Sequence, residues 1–255
     1  MVFDETATIL EHVDIGAGYR YLVVKSPKIA QALVPGQFVH VQVPSLEKSA
    51  LRRPFSVFDA DNEKITILYK TVGRGTAALN QAKKGEELKI LGPLGHGFPA
   101  EVEGTALLVG GGFGVAPLHF LAKRLRGKKI LFVGGRTADD LLALDKFYEA
   151  GVPIKVATND GSVGFKGFVT GPLDETISEL KAKGEKFELF TCGPDGLLKA
   201  ITERAILNDA KGWISCDRHM ICGVGACYAC IQKTVRGNSR CCIEGPIFEA
   251  RDLIW

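Results

Sequence analysis

The first hundred residues alternate apolar and polar positions with the period of two that strands with distinct faces show. In "QFVHVQVP", three valines alternate with Phe38, His40 and Gln42. Two further segments, "YRYLVVKSP" and "KITILYKTV", are rich in the β-branched and aromatic residues that favour strands. Turn residues separate these segments. The pattern therefore predicts an antiparallel β barrel over residues 1–99.

From about residue 100, the pattern changes to buried strands that alternate with amphipathic helices. Four apolar strand segments, "GTALLVGGG", "KKILFVGG", "PIKVATND" and "KFELFTCGP", are each followed by a helical pattern. One of these helices is predicted over residues 138–151, "ADDLLALDKFYEAG". Alternation of this kind predicts a doubly wound α/β domain with a parallel sheet, residues 100–211.

The last segment, residues 212–255, is too short to build a large core of its own. It carries six of the seven cysteines, all between Cys216 and Cys242. An odd number of cysteines without a secretory signal argues against a disulfide framework. We therefore expect a small module that is stabilised by a metal and by docking on the rest of the chain.

Composition and charge indicate an ordinary globular protein, with 46% hydrophobic and 24% charged residues. The net charge of +3 is too small to indicate nucleic-acid binding. Acidic residues stand near the start, where a secretory signal would be basic. The longest uncharged stretch, Gly104 to Ala122, is interrupted by glycines and Pro117. We therefore expect a cytoplasmic protein without a membrane span.

The cysteine spacing C-x4-C-x2-C-x11-C is the most specific chemical signal in the chain. Its first part is the spacing of plant-type 2Fe–2S ferredoxins. Gly223 and Gly225 would let the loop "CGVGACYAC" wrap tightly and present backbone N–H groups to sulfur. Two alternatives stay open: a structural zinc site, although zinc sites usually pair short-spaced cysteines, and a purely structural loop. The adjacent Cys241 and Cys242 both remain candidates for the fourth ligand.

Two barrel segments combine groups that bind a pyrophosphate. In "RRPFS", Arg53 and Ser56 place a cation and a hydroxyl along an extended strand. In "GRGTAAL", Gly75 and Thr76 begin a predicted helix, whose N-terminal amides favour phosphate. Taken alone, an Arg followed three residues later by a Ser is common by chance, and "GRGT" could be only a turn followed by a helix cap.

Two glycine-containing turns in the second domain indicate a dinucleotide site. "LLVGGGFGVAPL" runs from a strand through glycines into a helix, and "FTCGPDGLL" repeats that design. Cys192 is either a buried strand-end residue or a neighbour of the nicotinamide. Arg136 could bind a 2′-phosphate and Asp139 or Asp140 ribose hydroxyls, so NADH and NADPH both stay open.

These motifs, in this order, resemble the ferredoxin reductase-like family over essentially the whole chain. They are "RPFS" and "GRGT", then "GGGFGVAP" and "CGP", and finally "MICGVGACYAC" with "CCIEGPIFEA". Within that family, the resemblance is closest to the electron-transfer subunits of two-subunit, NAD-dependent dihydroorotate dehydrogenases. One departure is "EGP", where many relatives have "DGP".

The resemblance implies three sets of binding residues. For FAD, these are Arg53, Pro54, Phe55, Ser56, Leu68, Tyr69, Lys70, Gly75 and Thr76. For NAD(H), they are Gly110, Gly111, Gly112, Gly114, Cys192, Gly193 and Pro194. For the 2Fe–2S cluster, they are Cys222, Cys227, Cys230 and Cys242, because Cys242 holds the family's place two residues before "GP".

The resemblance also implies a function. Electrons would pass between NAD(H), FAD, the 2Fe–2S cluster and an FMN-containing catalytic subunit that oxidises dihydroorotate to orotate in pyrimidine biosynthesis. A heterotetramer with two copies of each subunit would result. The alternatives are the small NAD-binding subunit of a ferredoxin-dependent transhydrogenase or sulfide dehydrogenase complex, and a non-enzymatic zinc or redox-sensing module.

Overall fold

The computed structural model describes residues 1–43 and 51–255, so Pro44, the last residue of one predicted strand segment, lies outside it. Within the described residues, the N-terminal unit contains seven strands and two short helices. They are β1 (Phe3–Gly16), β2 (Tyr19–Lys25), α1 (Pro27–Ala32), β3 (Phe38–Gln42), β4 (Arg53–Ser56), β5 (Asp59–Asp61), β6 (Lys64–Lys70), α2 (Arg74–Leu79) and β7 (Glu87–Leu94).

These strands form one antiparallel sheet in the order β4-β3-β7-β1-β2-β6-β5. The sheet curls until Phe55 of β4 meets Tyr69 of β6, with ring centroids 5.7 Å apart. Because β4 and β5 remain its edge strands, the unit is a half-barrel. Its core contains the valines of β3 and the alternate apolar residues of β1, β2, β6 and β7, as the period of two predicts.

A parallel sheet forms the second unit. Its elements are β8 (Thr105–Gly111), α3 (Val115–Arg124), β9 (Lys129–Gly135), α4 (Leu144–Glu149), β10 (Ile154–Thr158), β11 (Phe165–Lys166), α5 (Thr170–Ala182), β12 (Phe187–Cys192) and α6 (Asp195–Leu207). The strand order is β11-β10-β9-β8-β12, continued by β13 (Gly212–Ser215) and β16 (Ile247–Glu249). Only β16 runs antiparallel to its neighbour.

The C-terminal segment is built into this sheet. Strand β13 pairs in parallel with β12, so the sheet continues past residue 211, where we predicted the domain to end. The remaining residues form the cysteine loop and a hairpin of β14 (Ile231–Thr234) and β15 (Gly237–Arg240). Strand pairing with the parallel sheet therefore holds the C-terminal segment in place, and the segment forms little core of its own.

The helix predicted over residues 138–151 is wrong in its first half. A 3-10 turn covers Ala138–Asp140, the chain is extended at Leu141, and the α-helix begins only at Leu144. Ala143 adopts a left-handed φ of +56° between them. Apolar spacing alone did not reveal this break, because Leu142 and Ala143 are buried although they lie outside the helix.

A stacked aromatic pair joins the half-barrel to the second unit. The ring centroids of Phe58 and His119 are 4.0 Å apart and the rings stack nearly parallel, with 2° between their planes. His119 Nδ1 also lies 3.1 Å from the carbonyl oxygen of Phe58. Arg124 donates a hydrogen bond of 3.1 Å to the carbonyl of Ala60. Helix α3 thus holds the two units at a defined distance.

Backbone and side-chain bonds fix the C-terminal segment to both units. The amide of His96, at the end of the half-barrel, donates to the carbonyl of Gly245 at 2.6 Å. Arg218 donates to Asp195 at the start of α6 and to Gln232 on β14.

The longest helices of the described residues have 13 residues. None in the described part of the chain has the length and apolarity of a membrane-spanning helix.

Gly104 sits where a β-carbon would strike the backbone. Its φ is +91°, and a β-carbon would lie 2.0 Å from the carbonyl oxygen of Lys186. Gly127 has a similar φ of +86° but nothing within 4 Å. We expect Gly127→Ala to destabilise the fold by about 1–2 kcal/mol through backbone strain. Gly104→Ala should lower the free energy of unfolding by about 1–3 kcal/mol more, because its β-carbon would overlap the backbone of Lys186.

Thermal unfolding of both variants measures this difference. For a chain of this size, each kcal/mol lowers Tm by about 2–4 °C. Gly104→Ala should therefore melt several degrees below Gly127→Ala. Equal melting temperatures would show that the packing of Gly104 against Lys186 contributes nothing.

Candidate functional site

A cavity of about 230 Å³ lies where the half-barrel, the parallel sheet and the C-terminal segment meet. Each of the three contributes to its wall. The lining residues are Phe38, Pro54, Phe55, Ser56, Leu68, Tyr69, Lys70, Val72 and Thr76; then Phe113, Ala116 and Cys192; and finally Ser215, Cys216, Asp217, Met220 and Pro246. Seven of the nine residues predicted for FAD line this wall, together with Cys192 of the predicted nucleotide set.

The two remaining predicted flavin residues pack against each other beside the cavity. A β-carbon on Gly75 would lie 2.4 Å from Nε of Arg53. Glycine at this position therefore lets the Arg53 side chain cross the first turn of α2. The two segments "RRPFS" and "GRGT", which lie about 20 residues apart, thus bring the Arg53 guanidinium to the N-terminus of α2.

Thr76 orders the turn that leads into α2. Its hydroxyl oxygen accepts hydrogen bonds from the amides of Val72 at 2.9 Å and Gly73 at 3.1 Å. Such side-chain bonds hold a helix start in one conformation. On the neighbouring strand, Tyr69 Oη lies 2.8 Å from His12 Nε2, which fixes the tyrosine ring in the cavity wall.

The two predicted nucleotide turns are in direct contact. Strands β8 and β12 are neighbours, and Cys192 pairs with Gly110. A β-carbon on Gly114 would lie 2.3 Å from the carbonyl oxygen of Cys192, and one on Gly111 would lie 3.2 Å from Pro194. The glycines thus let two strand-to-helix turns meet at the carboxyl edge of the sheet, where dinucleotides bind in such folds.

Cys192 is buried at this contact and faces the cavity. Burial raises the pKa of its thiol to about 12, with only partial compensation from a hydrogen bond to Ser215. The residue therefore stays a neutral thiol at physiological pH. Such a group can pack against a planar ring but cannot act as an anionic nucleophile.

A second cavity of about 460 Å³ lies beside the first, between the half-barrel and the loop after β9. Asp140 accepts hydrogen bonds there from the backbone amide of Arg136 at 3.0 Å and from its Nε at 3.2 Å. Burial opposes ionisation of Asp140, but these bonds outweigh it and lower the pKa of its carboxyl. The arginine charge is thus already paired with a carboxylate.

The cysteine loop wraps as its glycines predict. Gly223 and Gly225 have φ values of +68° and +81°. Burial opposes ionisation of the Cys222 thiol, but hydrogen bonds from the backbone of Val224 and from Cys227 outweigh it and lower its pKa to about 7. Loop amides that point at sulfur favour the thiolate, which is the form that binds metals.

The four predicted ligands fall into two pairs. The thiols of Cys222 and Cys227 are within hydrogen-bond reach of each other, as are those of Cys230 and Cys242. Within residues 1–43 and 51–255, no three cysteine, histidine or acidic side chains converge on a single metal position. Two thiolates per iron is what a two-iron cluster needs, whereas structural zinc needs four ligands around one ion. The donor set fits the cluster better than zinc.

The sulfur of Cys242 contacts the cysteine loop: it receives a hydrogen bond from the backbone of Gly225 and lies within hydrogen-bond reach of the Cys230 thiol. Cys241 is fully buried, with the Cys216 and Cys230 thiols as neighbours. Burial and the neighbouring Cys230 thiol raise the pKa of Cys242 to about 12, so this thiol ionises when a cation is bound beside it. This geometry supports Cys242 as the fourth ligand.

Sequence reasoning missed His40, which connects the half-barrel to this loop. Its side chain is 1% exposed, and a β-carbon on Gly223 would lie 2.4 Å from ring atom Cε1. Burial and the charges of Arg52 and Arg53 lower the pKa of His40 to about 4, so the ring is neutral. The sequence signal for His40 was the alternation along β3, which places its side chain on the face opposite the valines.

Comparison with known proteins assigns the family. The dihydroorotate dehydrogenase B (NAD(+)) electron transfer subunit of Fusobacterium nucleatum subsp. nucleatum is 38% identical over 259 residues, covering 98% of each chain. The protein of the same description from Bacillus cereus strain Q1 is 38% identical over 268 residues and covers both chains completely. The chain belongs to this family of electron-transfer subunits.

Family models agree with this assignment. A model of the oxidoreductase FAD-binding domain matches residues 6–98, and one of the iron–sulfur cluster binding domain of dihydroorotate dehydrogenase B matches residues 217–254. The chain is therefore a flavin and iron–sulfur oxidoreductase subunit that uses FAD, a 2Fe–2S cluster and NAD(H). The resemblance stated from the sequence motifs is confirmed.

Solved structures agree on the fold. A chain of an NADH-dependent reduced ferredoxin-NADP oxidoreductase superposes with a TM-score of 0.87 and 31% identity, covering 98% of this chain and 90% of that one. The ferredoxin reductase of carbazole 1,9a-dioxygenase superposes with a TM-score of 0.67 at 20% identity, covering 82% of this electron-transfer subunit and 67% of its own chain. The predicted ferredoxin reductase-like fold is confirmed.

Arg240 clamps the cluster loop of this electron-transfer subunit. It donates to the carbonyl of Gly225 at 2.9 Å, and its guanidinium lies 4.9 Å from the centre of the Tyr228 ring. We expect Arg240→Gln to release the loop and to speed cluster loss about tenfold, as removal of residues that orient metal ligands typically does. Arg236→Gln, on the turn of the same hairpin, is the control.

The test follows iron and acid-labile sulfide per chain over time in air-exposed protein. Arg236 forms its ion pair with Asp252 rather than with a residue of the cysteine loop. Its variant should therefore lose iron at the parent rate. Equal rates for both variants would rule out the clamp.

Proposed function

We propose that the chain is the electron-transfer subunit of a two-component dihydroorotate dehydrogenase that uses NAD⁺ as the final acceptor. The observation that carries this proposal is the shared cavity. One space is lined by predicted flavin residues, by Cys192 at the nucleotide turn and by Cys216 of the segment that bears the cluster loop. Three redox sites in one chain would therefore lie side by side.

The half-barrel residues would hold FAD. Arg53, crossing Gly75, and the amides at the start of α2 offer positive charge to a pyrophosphate. Phe55 and Tyr69 provide aromatic walls for the ring system, and Ser56 supplies a hydroxyl within the cavity. The close passage of Arg53 over a glycine is the structural feature that fits this group, because any side chain there would block it.

The nucleotide turns would hold NAD(H) against the flavin. Glycines at positions 110, 111, 114 and 193 let the two turns pack closely at the sheet edge, and beside them a β-carbon on Gly112 would meet nothing within 4 Å, which leaves open backbone there for a nucleotide. Cys192 and Phe113 line the cavity between this surface and the half-barrel. Their neutral side chains would exclude water from the position where the nicotinamide meets the flavin.

Cys222, Cys227, Cys230 and Cys242 would hold the cluster. When bound, FAD supplies the exchange between hydride transfer and single-electron transfer, and the 2Fe–2S cluster supplies one-electron carriage. Cys227 is exposed, whereas Cys230 and Cys242 are buried. The exposed side would face a partner subunit, and the buried side faces the rest of this chain.

The partner would be an FMN-containing catalytic subunit that oxidises dihydroorotate to orotate in pyrimidine biosynthesis, in a heterotetramer with two copies of each chain. The cytoplasm is the compartment that suits four cysteines that must remain reduced for iron. A second candidate is the small subunit of a ferredoxin-dependent transhydrogenase or sulfide dehydrogenase complex. It is favoured by the 31% identity to a chain of the ferredoxin-NADP oxidoreductase.

The isolated chain should transfer electrons from NADH to artificial acceptors such as ferricyanide, and it should not oxidise dihydroorotate. The physical reason is that the groups placed around its cavity serve flavin and nucleotide, and dihydroorotate oxidation would be the work of the partner. Steady-state assays of the FAD- and iron-loaded chain, with each donor, measure this. Oxidation of dihydroorotate by the purified chain alone would refute the division of labour.

Affinity purification from the native cell separates the two candidates. An FMN subunit that confers dihydroorotate oxidation with NAD⁺ supports the proposal. A large partner with its own iron–sulfur clusters, and no such activity, supports the second candidate instead.

We expect NADH to be preferred over NADPH, because Asp140 already neutralises Arg136 and would repel a 2′-phosphate. Asp140→Ala frees the guanidinium, which binds phosphate well. The ratio of kcat/KM for NADH over NADPH should fall about tenfold or more, a change of about 1.4 kcal/mol. Asp145→Ala, a surface acid on α4 with its side chain 69% exposed, is the charge-matched control.

Both variants are compared with the parent in ferricyanide reduction by each nucleotide. The Asp145 variant should keep the parent ratio. An unchanged ratio in Asp140→Ala would place the adenosine ribose elsewhere.

A further inference from the structure

His40 projects from the half-barrel towards the segment that carries the cysteine loop. Val39 and Val41 pack in the core of the half-barrel, whereas Phe38 packs in a core that includes cysteines of the C-terminal segment. Side chains alternate along a strand, so His40 lies on the side of Phe38. The two rings meet edge to face, with centroids 5.7 Å apart, and Phe38 lines the large cavity.

The His40 ring lies directly against Gly223. A β-carbon on Gly223 would lie 2.4 Å from Cε1 and 2.7 Å from each ring nitrogen. The nitrogen-bearing edge of the ring therefore faces the residue that follows the predicted ligand Cys222. Glycine is needed here for space, in addition to its φ of +68°.

The His40 ring carries a buried nitrogen atom, Nε2. Nε2 of His40 is buried and, among residues 1–43 and 51–255, makes no hydrogen bond. Buried polar atoms are nearly always bonded, and an exception needs an explanation. A neutral imidazole has one N–H donor, and the neighbouring loop is where sulfur acceptors would lie once a cluster is bound.

We propose that His40 is a positioning residue for the 2Fe–2S cluster: its ring seats the loop at Gly223, and its Nε2–H donates a hydrogen bond to a sulfur of the bound cluster or of Cys222. This inference rests on the proposed function, which places a cluster at the loop. The half-barrel that holds the flavin thereby contacts the cluster through one of its own side chains, next to Phe38.

Two substitutions separate the shape of His40 from its donor. His40→Phe keeps an aromatic ring of similar size and removes the N–H group, whereas His40→Gln keeps an N–H donor. His219→Phe is the control, because His219 is an exposed histidine of the C-terminal segment that carries the cysteine loop. All four proteins are purified as full chains with FAD and iron, and their FAD content and melting temperature are recorded.

Pulsed EPR of the dithionite-reduced cluster, in protein labelled with 15N-histidine, reads the hydrogen bond directly. We expect a weak coupling to a histidine nitrogen in the parent and in His219→Phe, and its loss in His40→Phe. A hydrogen bond to sulfur stabilises the reduced cluster. The midpoint potential should therefore be more negative in His40→Phe and nearer the parent in His40→Gln.

Gly223→Ala tests the packing of the loop on the His40 ring, which is called the seat below. It should lower iron per chain severalfold while FAD stays bound, and His40→Ala in the same chain should restore part of the iron, because the added methyl then has room. No rescue, with FAD retained, would contradict the seat. A parent-like coupling and potential in His40→Phe would overturn the donor role.

The outcomes distinguish this inference from the proposed function. If the parent binds a 2Fe–2S cluster but the His40 variants match it in every reading, only the inference fails. If the reconstituted parent binds no 2Fe–2S cluster at all, the proposed function fails, and the inference fails with it.

Discussion

The site depends on one constraint of the parallel sheet: the carboxyl ends of neighbouring strands meet at one edge. Strands β8, β12 and β13 are adjacent in that order. The edge therefore places the turn at 110–114 on one side of Cys192 and Cys216, which follows Ser215, on the other. Helix α3, held by the stacked rings of Phe58 and His119, brings the half-barrel against this edge. The cavity between them follows from these two contacts.

Close backbone approach is the second requirement, and glycine provides it at each junction. Gly75 lies under Arg53 in the half-barrel, Gly114 lies against Cys192 between the two turns, and Gly223 lies against His40 where the cluster loop meets the half-barrel. In each case a β-carbon would be 2.4 Å or less from its neighbour. Part of the high glycine content is thus explained by close backbone contacts. Composition alone could suggest such contacts but could not show at which positions they lie.

The local chemistry could be predicted from the sequence because it lies in contiguous motifs. The cysteine spacing, the strand-glycine-helix turns and the alternation in β3 all depend on neighbouring residues, and the structure has these turns and this alternation. The break at Ala143 and the continuation of the sheet into β13 could not be read, because both depend on packing against distant strands. His40 illustrates the same limit. Its alternation was visible, but its contact with a loop about 180 residues away was not.

The central claim is that electrons from NADH reach the cluster only through the flavin cavity. Anaerobic protein depleted of FAD but retaining its 2Fe–2S cluster tests this most directly, with the EPR signal of the reduced cluster as the readout. We expect NADH to leave the cluster oxidised, dithionite to reduce it, and NADH to reduce it once FAD is restored. Reduction of the cluster by NADH at the same rate without FAD would contradict the account.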